Sequence, residues 1–143
     1  MELYKVLVFF MLAILVTYFD CRFRLIPDKV NFLGLLLGLP YFQNLFWLLF
    51  YGFMMLLFAV ISKEALGGGD VKYIAVMALY LDSRTWEALF LGSIFFCLAA
   101  LPLLILKKMS WQESLPFGPF LAAGGIYTLL GGGNLWPMIL FSS

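Results

Sequence analysis

The sequence predicts an all-α integral membrane protein of about six transmembrane helices. Three observations lead there. Of 143 residues, 64% are hydrophobic and only 12% charged, against roughly 25% charged in an ordinary soluble domain. The chain has too few polar groups to cover itself in water, and its mean hydropathy of +1.03 agrees. The apolar residues fall in runs near the ~20 residues that a membrane crossing needs, separated by short polar or glycine-rich segments. The positive charges collect in alternate connections between those runs.

The first span is read over Leu3–Asp20, an unbroken apolar run closed by Thr17-Tyr18-Phe19-Asp20. The second, Val30–Phe42, follows Pro27 and Asp28. Asp28 there reads as a helix N-cap, a position that favours Asp. Gly34 and Gly38 form a GxxxG pair on this span, which lets two helix backbones approach closely. The third span is Asn44–Ser62. The fourth, Val71–Leu81, is short and opens directly after Gly67-Gly68-Gly69-Asp70. The fifth is Trp86–Leu106, with Cys97 inside it as a small packing residue. The sixth is Pro116–Leu130, with Leu135–Phe141 as its extension or as a re-entrant piece beyond the break at Gly131–Gly133. Tyr41, Phe42, Trp47, Trp86, Trp111 and Trp136 stand near span ends, as interface anchors do.

Arg22, Arg24, Lys29, Lys63, Lys72, Lys107 and Lys108, seven of the nine positive residues, lie in the connections after spans one, three and five. By the positive-inside rule these connections face the cytoplasm and both termini lie outside. The expected localisation is the cytoplasmic membrane, multi-pass, with the lipid bilayer as partner and residues 1–143 as a single membrane domain. A net charge of +1 gives no face for nucleic acid. Histidine is absent, which removes the commonest general base and the usual catalytic zinc ligand. Cys21 and Cys97 are too far apart for a CxxC pair. No cleavable signal peptide is expected, and neither a metal nor a cofactor.

Among the eight carboxylates, Asp20 and Asp70 stand out. Each lies at the cytoplasmic boundary of a different span, so the two can face each other. Neighbouring carboxylates do not both ionise readily and share a proton. One then activates water while the other polarises a carbonyl, as in aspartic peptide hydrolysis. The glycines Gly67, Gly68 and Gly69 would let a substrate backbone approach the pair. Taken singly, each residue has a plainer reading: Asp70 as the N-cap of span four, Asp20 as an interfacial group paired with Arg22 or Arg24. Glu64, Asp28 and Glu113 share that face. Lys72 reads as snorkelling to the lipid headgroups.

The segments Asp20-Cys21-Arg22-Phe23-Arg24-Leu25-Ile26-Pro27-Asp28 and Gly67-Gly68-Gly69-Asp70-Val71-Lys72 resemble the two active-site segments of type IV prepilin peptidases, which are GxGD intramembrane aspartic proteases. Leu115-Pro116-Phe117-Gly118-Pro119-Phe120-Leu121-Ala122 resembles a third family segment, and the order and spacing of all three agree. The resemblance implies a six-helix membrane fold and metal-independent removal of a short basic leader from prepilin-like substrates at the cytoplasmic face. It carries Asp20 and Asp70 over as the catalytic pair and Gly67–Gly69 as the motif loop. Pro116, Phe117, Gly118 and Pro119 carry over as a structural or substrate-facing segment. Glu64, Asp28 and Glu113 become candidate contacts for the basic leader, Asp28 standing where the family often has Asn. The paired cysteines of an N-terminal methyltransferase domain have no counterpart, so cleavage without N-methylation is expected, as in the compact peptidases of preflagellins and tight-adherence pilins. The alternative from another class is a small transporter or ion-binding subunit with interfacial carboxylates.

Overall fold

The structure, a computed structural model, describes residues 2–63, 66–108 and 115–131. These residues form six α-helices and no strand: α1 (Glu2–Phe23), α2 (Asp28–Leu37), α3 (Leu45–Ile61), α4 (Gly68–Leu81), α5 (Thr85–Ile105) and α6 (Gly118–Leu130). Short 3-10 turns at Leu39–Asn44 and Asp82–Arg84 join α2 to α3 and α4 to α5. The stretches Leu3–Phe23, Leu39–Ile61 and Gly68–Ile105 are long and apolar enough to cross a membrane. This is an all-α membrane protein.

Helix α4 is the centre of the bundle. It is apolar on all sides below its first turn, as a helix buried all round should be, and Met77, Ala78, Leu79, Tyr80 and Leu81 are completely buried. Helix α1 shows the face-selective pattern instead. Phe9, Leu12, Val16 and Asp20 point inward, while Leu3, Leu7, Ile14 and Tyr18 point out. Helix α3 exposes Phe46, Leu49, Phe53, Leu56 and Val60 along its length. In water this would be an aggregating surface; against hydrocarbon it costs nothing.

Glycines set the helix spacing. The Gly34–Gly38 pair packs α2 on α4 as expected. The Tyr80 hydroxyl donates to the Gly34 carbonyl at 2.6 Å, and a Cβ on Gly34 would come 2.7 Å from Val76 Cγ1. A second close crossing, between Gly92 of α5 and Gly124 of α6, has no such motif in the sequence: a Cβ on Gly124 would meet the Gly92 amide nitrogen at 2.8 Å.

The helix ends differ from the sequence reading, for local reasons. Helix α1 runs past Asp20 to Phe23 because Arg24 closes it in the left-handed conformation, φ 52°, its amide donating to the Asp20 carbonyl at 2.8 Å. Lys63 after α3 and Lys107 after α5 adopt the same conformation, with φ 52° and 53°. Glycine is the usual residue there. Basic side chains in its place complement the negative end of the helix dipole. Helix α2 stops at Leu37, short of Phe42, because Pro40 lacks the amide that continuation requires. Tyr41 is buried rather than at an interface, packed against Tyr80 and Tyr4 with the Lys5 ammonium 5.7 Å from its ring centre. Cys97 is exposed on the outer side of α5 rather than packed. Helix α6 begins at Gly118, so Pro116 and Phe117 precede it. Pro119 sits in the first turn, where a missing amide breaks no helical bond. Glu64, Trp111, Glu113, Trp136 and Leu135–Phe141 lie outside the described residues.

Candidate active site

The ends of α1, α3 and α5 and the starts of α2, α4 and α6 meet at one end of the bundle. Asp20 lies there in the last turn of α1, 5% exposed. Its Oδ2 accepts a hydrogen bond from the Gly118 amide at 2.6 Å. Gly118 is the first residue of α6, and amides in that turn have no partner within their own helix. The carboxylate therefore sits at the positive end of the α6 dipole. A Cβ on Gly118 would stand 2.7 Å from Asp20 Oδ2 and 3.0 Å from Val16 Cγ1, so only glycine allows this approach. The Pro116–Pro119 segment thus enters the site through one backbone amide. Phe117 braces it, its ring edge-on to Phe96 at 5.3 Å. Among the described residues, Asp20 makes no ion pair with Arg22 or Arg24. That plainer reading of Asp20 does not hold.

Asp70 occupies the first turn of α4. It is not the N-cap: Gly67 holds that position, and no side chain caps the helix. Its Oδ1 is buried and has no hydrogen-bond partner among the described residues. Its Oδ2 lies against Gly67, where a Cβ would be 3.3 Å away. Two carboxyl groups from helices remote in sequence thus stand at the same end of the bundle, where the connection after α1 crosses the first turn of α4.

The three motif glycines do different work. None has a positive φ, and Gly68 and Gly69 belong to α4 itself, so the segment is a helix start rather than a glycine turn. Gly69 is required by contact. The connection after α1 crosses it, and a Cβ would come 2.9 Å from the Ile26 carbonyl oxygen and 3.0 Å from Ile26 Cβ. Gly68 has nothing within 4 Å. Gly69→Ala is therefore expected to destabilise the folded protein by about 1–3 kcal/mol, the usual cost of overpacking. Gly68→Ala should leave thermal stability in detergent unchanged or raise it by up to about 1 kcal/mol, since glycine is a poor helix former. Equal melting temperatures for the two variants would contradict the contact at Ile26.

Asn31 completes the frame. It is 6% exposed in α2 and donates from Nδ2 to the Gly69 carbonyl at 3.4 Å. Its place one helical turn after Asp28 was the available signal, but nothing in the sequence pairs it with the glycines. Asp28 is the first residue of α2 rather than its cap, which is Pro27. Its carboxylate holds Lys72 Nζ at 2.6 Å. Lys72 is therefore paired rather than snorkelling, and Asp28 ties α2 to the first turn of α4 instead of standing free. Glu64 and Glu113 are outside the described residues. Among those residues no three His, Cys, Asp or Glu side chains gather as metal ligands would.

Comparison with known proteins shows the family of the chain. The family model for the type IV leader peptidase family matches residues 7–105. The chain is 31% identical to leader peptidase HopD of Escherichia coli, over 80% of this chain and 84% of that protein. It is 32% identical to HopD of Salmonella typhimurium, over 81% and 85%. It is 30% identical to the prepilin leader peptidase/N-methyltransferase of Bacillus subtilis, over 94% of this chain but 58% of that protein. No solved structure matches. With the family model covering well over half of its length, this chain belongs to the type IV leader peptidase family.

Proposed function

We propose that this protein is an aspartic endopeptidase that removes the short basic leader from prepilin-like membrane proteins, with Asp20 and Asp70 as its catalytic pair. The observation that carries the reading is the placing of these two carboxyl groups at one end of the bundle, one fixed by a backbone amide and the other with a buried oxygen that has no partner among the described residues. With Oδ2 of Asp20 held as acceptor by Gly118, Oδ1 is the atom that takes a proton from water. Asp70, protonated, donates to the scissile carbonyl. The attacking water adds to the carbonyl carbon and gives a tetrahedral diol. Its collapse breaks the C–N bond and transfers a proton to the leaving amine. Preorganisation of this kind concentrates the energetic benefit in the transition state.

The site belongs at the cytoplasmic face of a six-span, multi-pass protein of the cytoplasmic membrane with both termini outside. The basic residues Arg24, Lys63 and Lys107, which end three helices on the site's side, support this orientation. Residues 1–143 are read as one peptidase domain. Cleavage without methyl transfer is proposed as well. The HopD relatives, of which the chain covers 84% and 85%, are named leader peptidases alone.

The test is cleavage by the purified protein in detergent. The peptide carries a basic leader, a glycine before the cut and an apolar helix. A chelator and labelled S-adenosylmethionine are present. One cut after the glycine and no label in the product are expected. An intact peptide would sink the peptidase reading, and activity lost only with chelator would sink the metal-free mechanism.

A further inference from the structure

The pair of carboxyl groups explains bond cleavage but not how a bilayer-embedded substrate reaches it. A groove of about 780 Å³ opens beside the site, between the last two turns of α3 and the first turn of α4. Its lining includes Leu56 and Val60 on one side and Leu66, Gly67 and Gly68 on the other, with Lys63 at the rim. We propose that this groove is the docking site for the substrate's apolar helix immediately after the cut, and that it admits the substrate laterally from the lipid. The inference rests on the peptidase reading and adds where the substrate lies.

Three observations commit the groove to that occupant. It is continuous with the site, because its floor residue Gly67 lies against Asp70 Oδ2. A peptide leaving the groove over Gly67 arrives at the carboxyl pair. Its walls are apolar and belong to a lipid-facing surface, Leu56 being 56% and Val60 69% exposed. An apolar segment can therefore slide in without leaving hydrocarbon. Among its described lining residues the charged one is Lys63, which repels a basic leader and favours the uncharged part of the substrate. Polarity along the substrate is thus set by sign: apolar helix toward α3, leader away from it. Gly68 gains a role from the same geometry. Its empty surroundings are groove, so its lack of a side chain keeps the floor open.

The test places a photoreactive benzoylphenylalanine at Val60, and separately at Leu98 on the outer side of α5, in Asp70→Asn protein that holds substrate uncleaved. Adducts to the apolar helix are expected to be about ten-fold more abundant from position 60 than from position 98 for a site that binds the helix. In a second arm, Val60→Trp fills the groove in otherwise unchanged protein. Because the groove is used equally by ground and transition states, KM should rise roughly ten-fold with kcat preserved. If wild type cleaves the peptide but position 60 labels no more than position 98 and Val60→Trp leaves KM alone, the groove is not the docking site, and the peptidase reading stands. If wild type cleaves no such peptide, the peptidase reading falls and takes the groove's occupant with it.

Discussion

Cleavage of the leader peptide is expected to fall at least about 10³-fold when Asp20 becomes Asn, and by as much when Asp70 does. Asn matches Asp in volume but takes no proton from water at neutral pH, so the change removes the chemistry and spares the shape. At position 20 the Asn side-chain oxygen can still accept from the Gly118 amide, 2.6 Å from Oδ2 in the native chain, which keeps α1 joined to α6. At position 70 one carboxyl oxygen has no partner to lose. Both variants should fold, with melting temperatures in detergent close to wild type. The double variant should be no slower than either single one, because groups that act as a unit lose their contribution once. Multiplying losses would mean that the two act independently, contrary to a shared water. Full activity in either single variant would remove that residue from the mechanism.

How far the site was legible beforehand depends on what kind of contact makes it. The two carboxylates were legible because an ionisable side chain at the edge of an apolar run is costly and therefore conspicuous. Helix existence was legible for the same reason, since uninterrupted apolar runs are hard to misread. What stayed hidden was backbone chemistry. The Gly118 amide that holds Asp20 has no side chain to announce it, and Gly118 is 98 positions away along the chain. The glycine crossing of α5 and α6 at Gly92 and Gly124 was missed because its two halves lie on different helices. The motif glycines looked alike in sequence, yet a Cβ on Gly69 would run into Ile26 and one on Gly68 would enter open space. Asp28 looked like a cap because Asp after Pro often is one; its salt bridge to Lys72 depends on a helix four decades of residues later. Tyr41 looked interfacial because aromatics near a span end often are, and it is instead buried by the turn that Pro40 forces.

Gly118→Ala is the sharpest test of the hidden part. Alanine is a better helix former than glycine and suits the first turn of α6, so local propensity favours the substitution. The contact opposes it. The added methyl would stand 2.7 Å from Asp20 Oδ2 and 3.0 Å from Val16 Cγ1, well inside the ~3.5 Å at which non-bonded heavy atoms are comfortable. Val16 is fully buried and cannot step aside, so the carboxylate or the start of α6 must give way. Either movement stretches the amide hydrogen bond and shifts the proposed general base by a large fraction of an ångström. A misplacement of about 1 Å in a catalytic group costs about 10²-fold. The expected result is a kcat lowered by about that factor with KM nearly unchanged, because the displaced group is proposed to act in the chemical step and neither Gly118 nor Asp20 lines the proposed docking groove. Gly124→Ala supplies the control, since it also crowds α6 against its neighbours but meets Ala88 and Gly92 rather than the site. It should lower the melting temperature with less effect on kcat in the protein that remains folded. If Gly118→Ala behaves like Gly124→Ala, the amide of Gly118 is merely structural, and some other group positions Asp20.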